Sequence, residues 1–138
     1  MTEPEARSAL VDHWLGRAEE ALAAARREHG AGDMLVAINR AYYGCFYAAT
    51  AFLLREKHAF TRHSAVRDAV HLHLVKPGLV EPEVGRAFDA LFRERNQADY
   101  AAFVEFDPAE VKQRLDQAAN FVARMRQLIK SERSEQGP

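Results

Sequence analysis

The segment of residues 33–57 constrains the fold most, because its apolar residues lie on two sides of a predicted helix. A helix that is apolar on two sides has to be covered on both, so this one is predicted to be the centre of a helical bundle or of a dimer. One stripe contains Leu35, Ile38, Tyr42, Cys45, Ala49 and Phe52, and the other contains Val36, Tyr43, Tyr47 and Leu54.

Four further helices are predicted, and no strands, so the fold class is all-α. Thr2 and Glu5 form a capping-box pattern before a helix over residues 4–29. A shorter helix is predicted over residues 64–76 and a fourth over residues 82–100. Asp107-Pro-Ala-Glu110 starts the last helix, whose apolar residues have heptad-like spacing. Residues 101–106 are apolar without helical punctuation and are predicted to form an irregular connection.

The 138 residues fit one helical domain, predicted over residues 1–130, followed by a polar, disordered tail over residues 131–138. A single cysteine, Cys45, excludes an internal disulfide and a multi-cysteine zinc site. We expect a cytoplasmic protein, because the start of the chain has acidic residues and no signal-like apolar run. No membrane association is expected either, since the longest apolar stretch, residues 41–54, is too short to span a bilayer.

The charge is unevenly distributed, although the net charge of −1 gives no overall electrostatic case for DNA binding. Residues 55–76 contain five basic and two acidic residues, together with four of the six histidines. This window includes the loop of residues 58–63, in which Arg62 precedes His63. The loop is either a solvated turn or a phosphate-contacting surface.

Arg95 lies where the apolar pattern of the fourth helix requires a core residue. Val84, Phe88 and Leu91 recur at steps of four and three, and the same stripe continues to Arg95. A buried charge is costly without a partner, so Arg95 needs a carboxylate, a subunit interface or a ligand phosphate. Asp99, four residues further on, is the candidate internal partner.

Arg40 shares a stripe with Tyr43 and Tyr47 on the second helix, so it is a second arginine that faces the interior. An Asp99 between Arg40 and Arg95 would neutralise both. The tyrosines of this helix, Tyr42, Tyr43 and Tyr47, have two interpretations. They either stack on nucleotide bases or fill the core with their hydroxyls hydrogen-bonded.

Other chemistry finds little support in the sequence. There is no Gly-rich phosphate loop, no Gly-x-Ser-x-Gly nucleophile motif and no Glu-x-x-His pair of the kind that di-iron bundles use. We therefore expect neither a metal nor a cofactor.

Three motifs occur in order along the chain: Asn39-Arg-Ala-Tyr-Tyr-Gly-Cys-Phe-Tyr-Ala-Ala, then His63-Ser, then Arg95-Asn-Gln-Ala-Asp-Tyr100. Together they resemble the motifs of the HEPN domain (higher eukaryotes and prokaryotes nucleotide-binding). The resemblance covers residues 4–130, including the closing amphipathic helix. It implies an up-and-down bundle of four main helices plus one short helix, usually dimeric.

The resemblance also implies a function. Many HEPN proteins are encoded beside a nucleotidyltransferase and form toxin–antitoxin pairs, and active members are metal-independent ribonucleases. Their motif is an arginine, four to six residues, then a histidine, with a tyrosine in some members that accepts AMP from the partner. By this resemblance Arg95 and Asn96 would meet RNA or nucleotide phosphate at a homodimer cleft, with Arg40, Arg62 and His63, and Tyr100 would be the modification acceptor.

The sequence departs from the motif because no histidine follows Arg95 at that spacing. Arg67 and His73 do have the spacing, but they stand on the third helix. Three hypotheses follow. The chain is a phosphate-binding homodimer that partners a nucleotidyltransferase, a ribonuclease in which Asp99, Tyr100 or His63 carries the proton, or a structural bundle with an internal Arg95–Asp99 ion pair.

Overall fold

A computed structural model describes residues 1–100 and 105–135, and the side chains within them except those of residues 98–100 and 132–135. The described chain contains helices and no strand, so the predicted all-α fold is confirmed. In chain order the helices are α1 (Glu3–Gly30), α2 (Met34–Arg55), α3 (His63–Val70), a π-helical segment (His71–Val75), α4 (Pro82–Tyr100) and α5 (Pro108–Glu135).

The central position predicted for the second helix is confirmed, because α2 packs against α1, α3, α4 and α5. Ile38, Tyr42 and Phe52 on α2 are among the largest fully buried side chains. Gly44 lets α1 approach closely, since a Cβ at this position would lie 3.0 Å from Cδ2 of Leu22. The small residue therefore helps to fix the α1–α2 pair that carries half of the core.

The predicted helix starts are confirmed by their hydrogen bonds. The amide of Glu5 donates to the Thr2 hydroxyl, and the Glu5 carboxylate accepts from the Thr2 amide, which completes the capping box. Asp33 and Asp107 accept from the amides three residues on, at 3.2 and 3.3 Å. Each bond satisfies an amide that the helix itself leaves without an acceptor.

The short helix predicted over residues 64–76 is present, but only its first part is α-helical: α3 ends at Val70, and the chain continues as a π-helix over His71–Val75. The π segment is held against α4. Both carboxylate oxygens of Asp89 lie within 3.0 Å of Nε2 of His71. A Cβ on Gly85 of α4 would lie only 2.7 Å from Cγ2 of Val75, so the segment needs glycine opposite it. These are tertiary contacts that helical periodicity does not encode.

The last helix, α5, runs to Glu135 and so extends beyond the predicted domain boundary at residue 130. Residues 136–138 of the predicted tail lie outside the described residues, and their disorder stays a prediction. Residues 101–104 of the predicted irregular connection also lie outside them.

Candidate functional site

Arg95, half-buried on α4, is held by a pair of tyrosines from α2. Its Nη2 donates to the Tyr43 hydroxyl at 3.1 Å, and its Nη1 donates to Oδ1 of Asn96 at 3.3 Å. The guanidinium carbon lies 5.7 Å from the ring centroid of Tyr42 and 5.5 Å from that of Tyr43, within cation–π range. The charge is therefore fixed by two rings and a hydroxyl rather than placed in an apolar core.

His63, the first residue of α3, meets the same pair of tyrosines. Its Nδ1 lies 2.8 Å from the Tyr42 hydroxyl, and its ring stacks on Phe46 with centroids 4.2 Å apart. The Tyr42 side chain is fully buried, with 0% of its surface exposed. Tyr42, Tyr43, His63 and Arg95 are named the tyrosine cluster below. It joins three helices that are distant in sequence.

Burial and charge set the protonation states in the tyrosine cluster. Burial, and then the charge of Arg95, lower the pKa of His63 below its ordinary value of 6.5, so the imidazole is neutral at neutral pH. Burial raises the pKa of Tyr42 above its usual range, and its hydroxyl keeps its proton. In the neutral tautomer whose Nδ1–H donates to that hydroxyl, Nε2 of His63 is unprotonated and can accept a proton.

Arg40 also lies against the ring of Tyr43. Its guanidinium carbon is 5.2 Å from the centroid of Tyr43, and its Nε and Nη2 both donate to Oδ1 of Asn39, at 3.2 and 2.8 Å. Arg40 and Arg95 thus share one tyrosine ring. The predicted bonds of either arginine to Asp99 stay predictions, because the side chains of Asp99 and Tyr100 lie outside the described residues.

The basic window of residues 55–76 is divided by the fold. Arg62 is exposed and precedes His63 directly at the start of α3. Arg55, in contrast, donates from Nη1 to the backbone oxygens of Leu128 and Ile129 at 3.0 and 3.3 Å, and pairs with Glu56. Arg55 therefore links α2 to α5. Of the other residues in the window, His63 belongs to the tyrosine cluster, and Arg62 directly precedes it in the chain.

The arginine and histidine that match the motif spacing on the third helix have other contacts. Arg67 lies 3.9 Å from the Asp89 carboxylate and over the Phe92 ring, and His71 bonds the same carboxylate at 2.9 Å. Arg67, His71 and Asp89 are named the carboxylate cluster below. His73 stacks on His58, with centroids 4.3 Å apart. These contacts give Arg67 and His73 roles in packing that do not depend on the motif spacing.

Two aromatic residues of the site region were not predicted from the sequence to belong to a site. Phe46 supports the ring of His63, and Trp14 of α1 stacks on Tyr47 with centroids 5.4 Å apart. Trp14 falls within the helix predicted over residues 4–29, where a large apolar residue is expected to be part of the core. The available signal was the four-residue spacing of Tyr43 and Tyr47, which places two large rings on one face of α2.

Among the described side chains, no three histidine, cysteine, aspartate or glutamate residues come close enough together to hold a metal ion. None of the described helices combines the length and the apolar character needed to cross a bilayer.

Comparison with known proteins identifies the family. The chain matches the HEPN domain over residues 11–129. It is 33% identical over 120 residues to a Thermotoga maritima protein named UPF0332 protein, covering 87% of this chain and 91% of that protein. Two Methanocaldococcus jannaschii proteins named "putative toxin" are also similar. One is 24% identical over 86% of this chain and 81% of its own length, and the other is 30% identical over 68% and 69%. The chain therefore belongs to the HEPN domain family.

Proposed function

We propose that the chain is the HEPN member of a toxin–antitoxin-type pair, a homodimer that binds RNA or nucleotide phosphate and has a nucleotidyltransferase as its partner protein. Family membership and the toxin names of two relatives support the general class. The binding role is supported by the tyrosine cluster.

The fixed guanidinium of Arg95 is the observation that carries the proposal. Tyr43 and Asn96 orient it through hydrogen bonds, and the rings of Tyr42 and Tyr43 flank it. A preorganised guanidinium loses little conformational freedom when it binds, and its planar array of donors matches phosphate geometry. Arg40, on the same Tyr43 ring, adds a second positive charge at this position.

Binding of a labelled single-stranded RNA, followed by fluorescence anisotropy, tests the proposal. Removing a charge-assisted contact in Arg95→Ala is expected to weaken binding about tenfold or more. Arg93→Ala is the matched control, because Arg93 is an exposed arginine two residues away on α4. Equal affinities of Arg95→Ala and the parent would contradict the proposal. Absence of RNA binding by the parent would instead favour the purely structural bundle.

The dimer and the partner have separate tests. Sedimentation velocity is expected to give a dimer at micromolar concentration. Incubation with ATP and a nucleotidyltransferase encoded beside this chain is expected to add AMP to Tyr100, detected by peptide mass spectrometry and absent in Tyr100→Phe. A monomer, or a chain that stays unmodified, would contradict the corresponding part of the proposal.

A ribonuclease activity is the second candidate, and the described position of His63 makes this residue a candidate proton carrier. His63 is neutral and lies on the same tyrosine pair as Arg95. A neutral imidazole accepts the proton of an RNA 2′-hydroxyl. The 2′-oxygen then bonds to phosphorus, the P–O5′ bond breaks, and the 5′-oxygen takes a proton from the imidazolium. Arg95 would stabilise the charge that develops on the phosphoryl oxygens.

Cleavage of RNA in the presence of EDTA tests this candidate. Both His63→Ala and Arg95→Ala are expected to lower the cleavage rate by about 10²–10⁴. His58→Ala, a histidine whose ring stacks on His73, serves as the control and is expected to cleave like the parent. A parent that binds RNA without cleaving it would reject the ribonuclease and leave the binding role intact.

A further inference from the structure

Three aromatic side chains form a continuous row on α1 and α2. Trp14 stacks on Tyr47 with ring centroids 5.4 Å apart and planes at 29°, and Tyr47 lies 5.6 Å from Tyr43 at 39°. All three are partly exposed, whereas the neighbouring Tyr42 is fully buried. Trp14, Tyr43 and Tyr47 are named the aromatic track. Tyr43 and Tyr47 are one helical turn apart, about 6 Å along the axis of α2.

Arginines accompany the aromatic track along its length. The guanidinium carbon of Arg17 lies 5.2 Å from the Tyr47 centroid, and those of Arg40 and Arg95 lie 5.2 and 5.5 Å from the Tyr43 centroid. The Arg17 side chain is 46% exposed, and its contact with Glu20 is long, at 3.8 Å. Each tyrosine of the track therefore carries at least one positive charge at its ring face.

This combination suits single-stranded nucleic acid. Proteins that bind single strands use aromatic rings and guanidinium planes to stack on bases, and positive charges to meet the phosphates between them. The three rings pack against the core but remain partly exposed, unlike Tyr42, so part of each ring is accessible to a ligand. The row is also continuous with the tyrosine cluster, because Tyr43 belongs to both.

We propose that the aromatic track binds consecutive bases of a single-stranded RNA whose phosphate is held at Arg95. The inference rests on the proposed function and deepens it, because it extends the ligand from one phosphate to a strand of several nucleotides. The track then supplies affinity that is tolerant of sequence, since every base has a face that can stack.

Trp14 provides a direct probe, because it is the only tryptophan in the chain. A short oligoadenylate is expected to quench its fluorescence, and AMP is expected to bind at least tenfold more weakly than the oligoadenylate. Tyr47→Leu and Trp14→Leu keep an apolar side chain and remove the ring. Each is expected to weaken oligoadenylate binding about tenfold, measured by anisotropy. Phe106→Leu, a half-buried aromatic outside the track, is the control.

Salt dependence separates stacking from charge. Removing a phosphate contact reduces the slope of log affinity against log salt by about 0.7 for a single strand. Arg17→Ala is expected to reduce the slope, while Tyr47→Leu is expected to lower affinity with the slope unchanged. Thermal unfolding followed by circular dichroism verifies that each variant is folded.

The outcomes distinguish the track from the proposed function. The track is overturned if RNA binding depends on Arg95 while Trp14→Leu and Tyr47→Leu bind normally and Trp14 emission is unaltered. It is also overturned if Trp14→Leu converts a dimer to a monomer in sedimentation, because the face is then a subunit interface. Binding that survives Arg95→Ala but is weakened in Tyr47→Leu supports base stacking on the track and overturns the phosphate contact at Arg95, on which the proposed function depends. Absence of all RNA binding overturns both.

Discussion

The tyrosine cluster and the carboxylate cluster both bring together an arginine and a histidine, but through different chemistry. His63 meets a buried phenol, and the charge of Arg95, after burial, lowers the pKa of its imidazole. His71 meets the carboxylate of Asp89, which Arg67 also approaches. The same two residue types therefore meet a pair of tyrosines at one place and a carboxylate at the other.

The difference indicates which cluster serves the fold and which is suited to a ligand. In the carboxylate cluster Arg67 and His71 both meet the Asp89 carboxylate, and these contacts hold the π segment against α4. In the tyrosine cluster the low pKa of His63 keeps an imidazole uncharged beside a guanidinium, an arrangement used for proton transfer and phosphate binding. Four predictions, in order of decreasing effect, test this contrast.

The largest effect on the free energy of unfolding is expected where α4 packs against the π segment. Gly85→Ala places a Cβ 2.7 Å from Cγ2 of Val75, and this overpacking outweighs the gain in helix propensity. We expect the free energy of unfolding in urea to fall by about 1–2 kcal/mol. Gly16→Ala on the exposed face of α1 has open space around it and is expected to raise that energy by about 0.5–1 kcal/mol. Two shifts of the same sign would contradict the packing argument.

Removing the shared carboxylate is expected to cost no more free energy of unfolding than that. Asp89→Ala leaves Arg67 and His71 without their described anion, and we expect unfolding free energy to fall by about 1–2 kcal/mol, with RNA affinity unaltered. Glu83→Gln is the control, because it breaks the exposed pair with Arg86 and is expected to change stability by less than about 0.5 kcal/mol. A variant that lost RNA binding while staying folded would show that the two clusters are not separate in function.

Tyr42→Phe removes the hydroxyl that bonds His63 and keeps the buried ring. One lost hydrogen bond is expected to lower the unfolding free energy by about 1 kcal/mol. His63 also loses its orienting partner, so any RNA cleavage should fall more than RNA binding does. Tyr43→Phe, which removes the acceptor of Arg95 instead, is the matched variant and should affect binding first. Equal effects of the two variants on both measurements would argue against distinct roles.

The smallest effect is a pH dependence of stability. The pKa of His63 lies below 6.5 in the folded chain and near 6.5 in the unfolded chain, so the unfolded state binds more protons as pH falls through that range. Acidification from about pH 7.5 to about pH 5 should therefore lower the unfolding free energy. Well above its unfolded pKa, His63 is neutral in both states and causes no change of stability with pH. His63→Gln should flatten the profile in urea titrations. An unaltered profile would mean that His63 titrates alike in both states.

Much of the fold was predictable because it depends on local patterns. The capping residues Thr2, Asp33 and Asp107 mark the helix starts through bonds to amides three residues away. The two apolar stripes of α2 predicted its central position, since such a helix has to be covered on both sides. The π segment was not predictable, because it depends on Gly85 and Asp89 of another helix.

The candidate site was predictable only in part. Arg95 stood out because a charge interrupts the stripe that continues from Phe88 and Leu91, both fully buried. The separation of His63 and Arg95 in the sequence gives no indication that both residues contact the same pair of tyrosines. The sequence likewise indicates an ordinary core residue at Trp14. Only the packing of α1 on α2 brings its ring against that of Tyr47.

The sequence by itself determined that the chain forms helices, which of them lies at the centre, and that Arg95 needs an explanation. These follow from periodicity and from the cost of burying charge, which act within one helix. Only the tertiary structure decided that His63 lies on the tyrosine pair that holds Arg95, and that Trp14 continues the row of rings from Tyr43 and Tyr47. The physical reason is that such contacts join α1, α2, α3 and α4 across long sequence separations, where the packing of whole helices fixes which side chains meet.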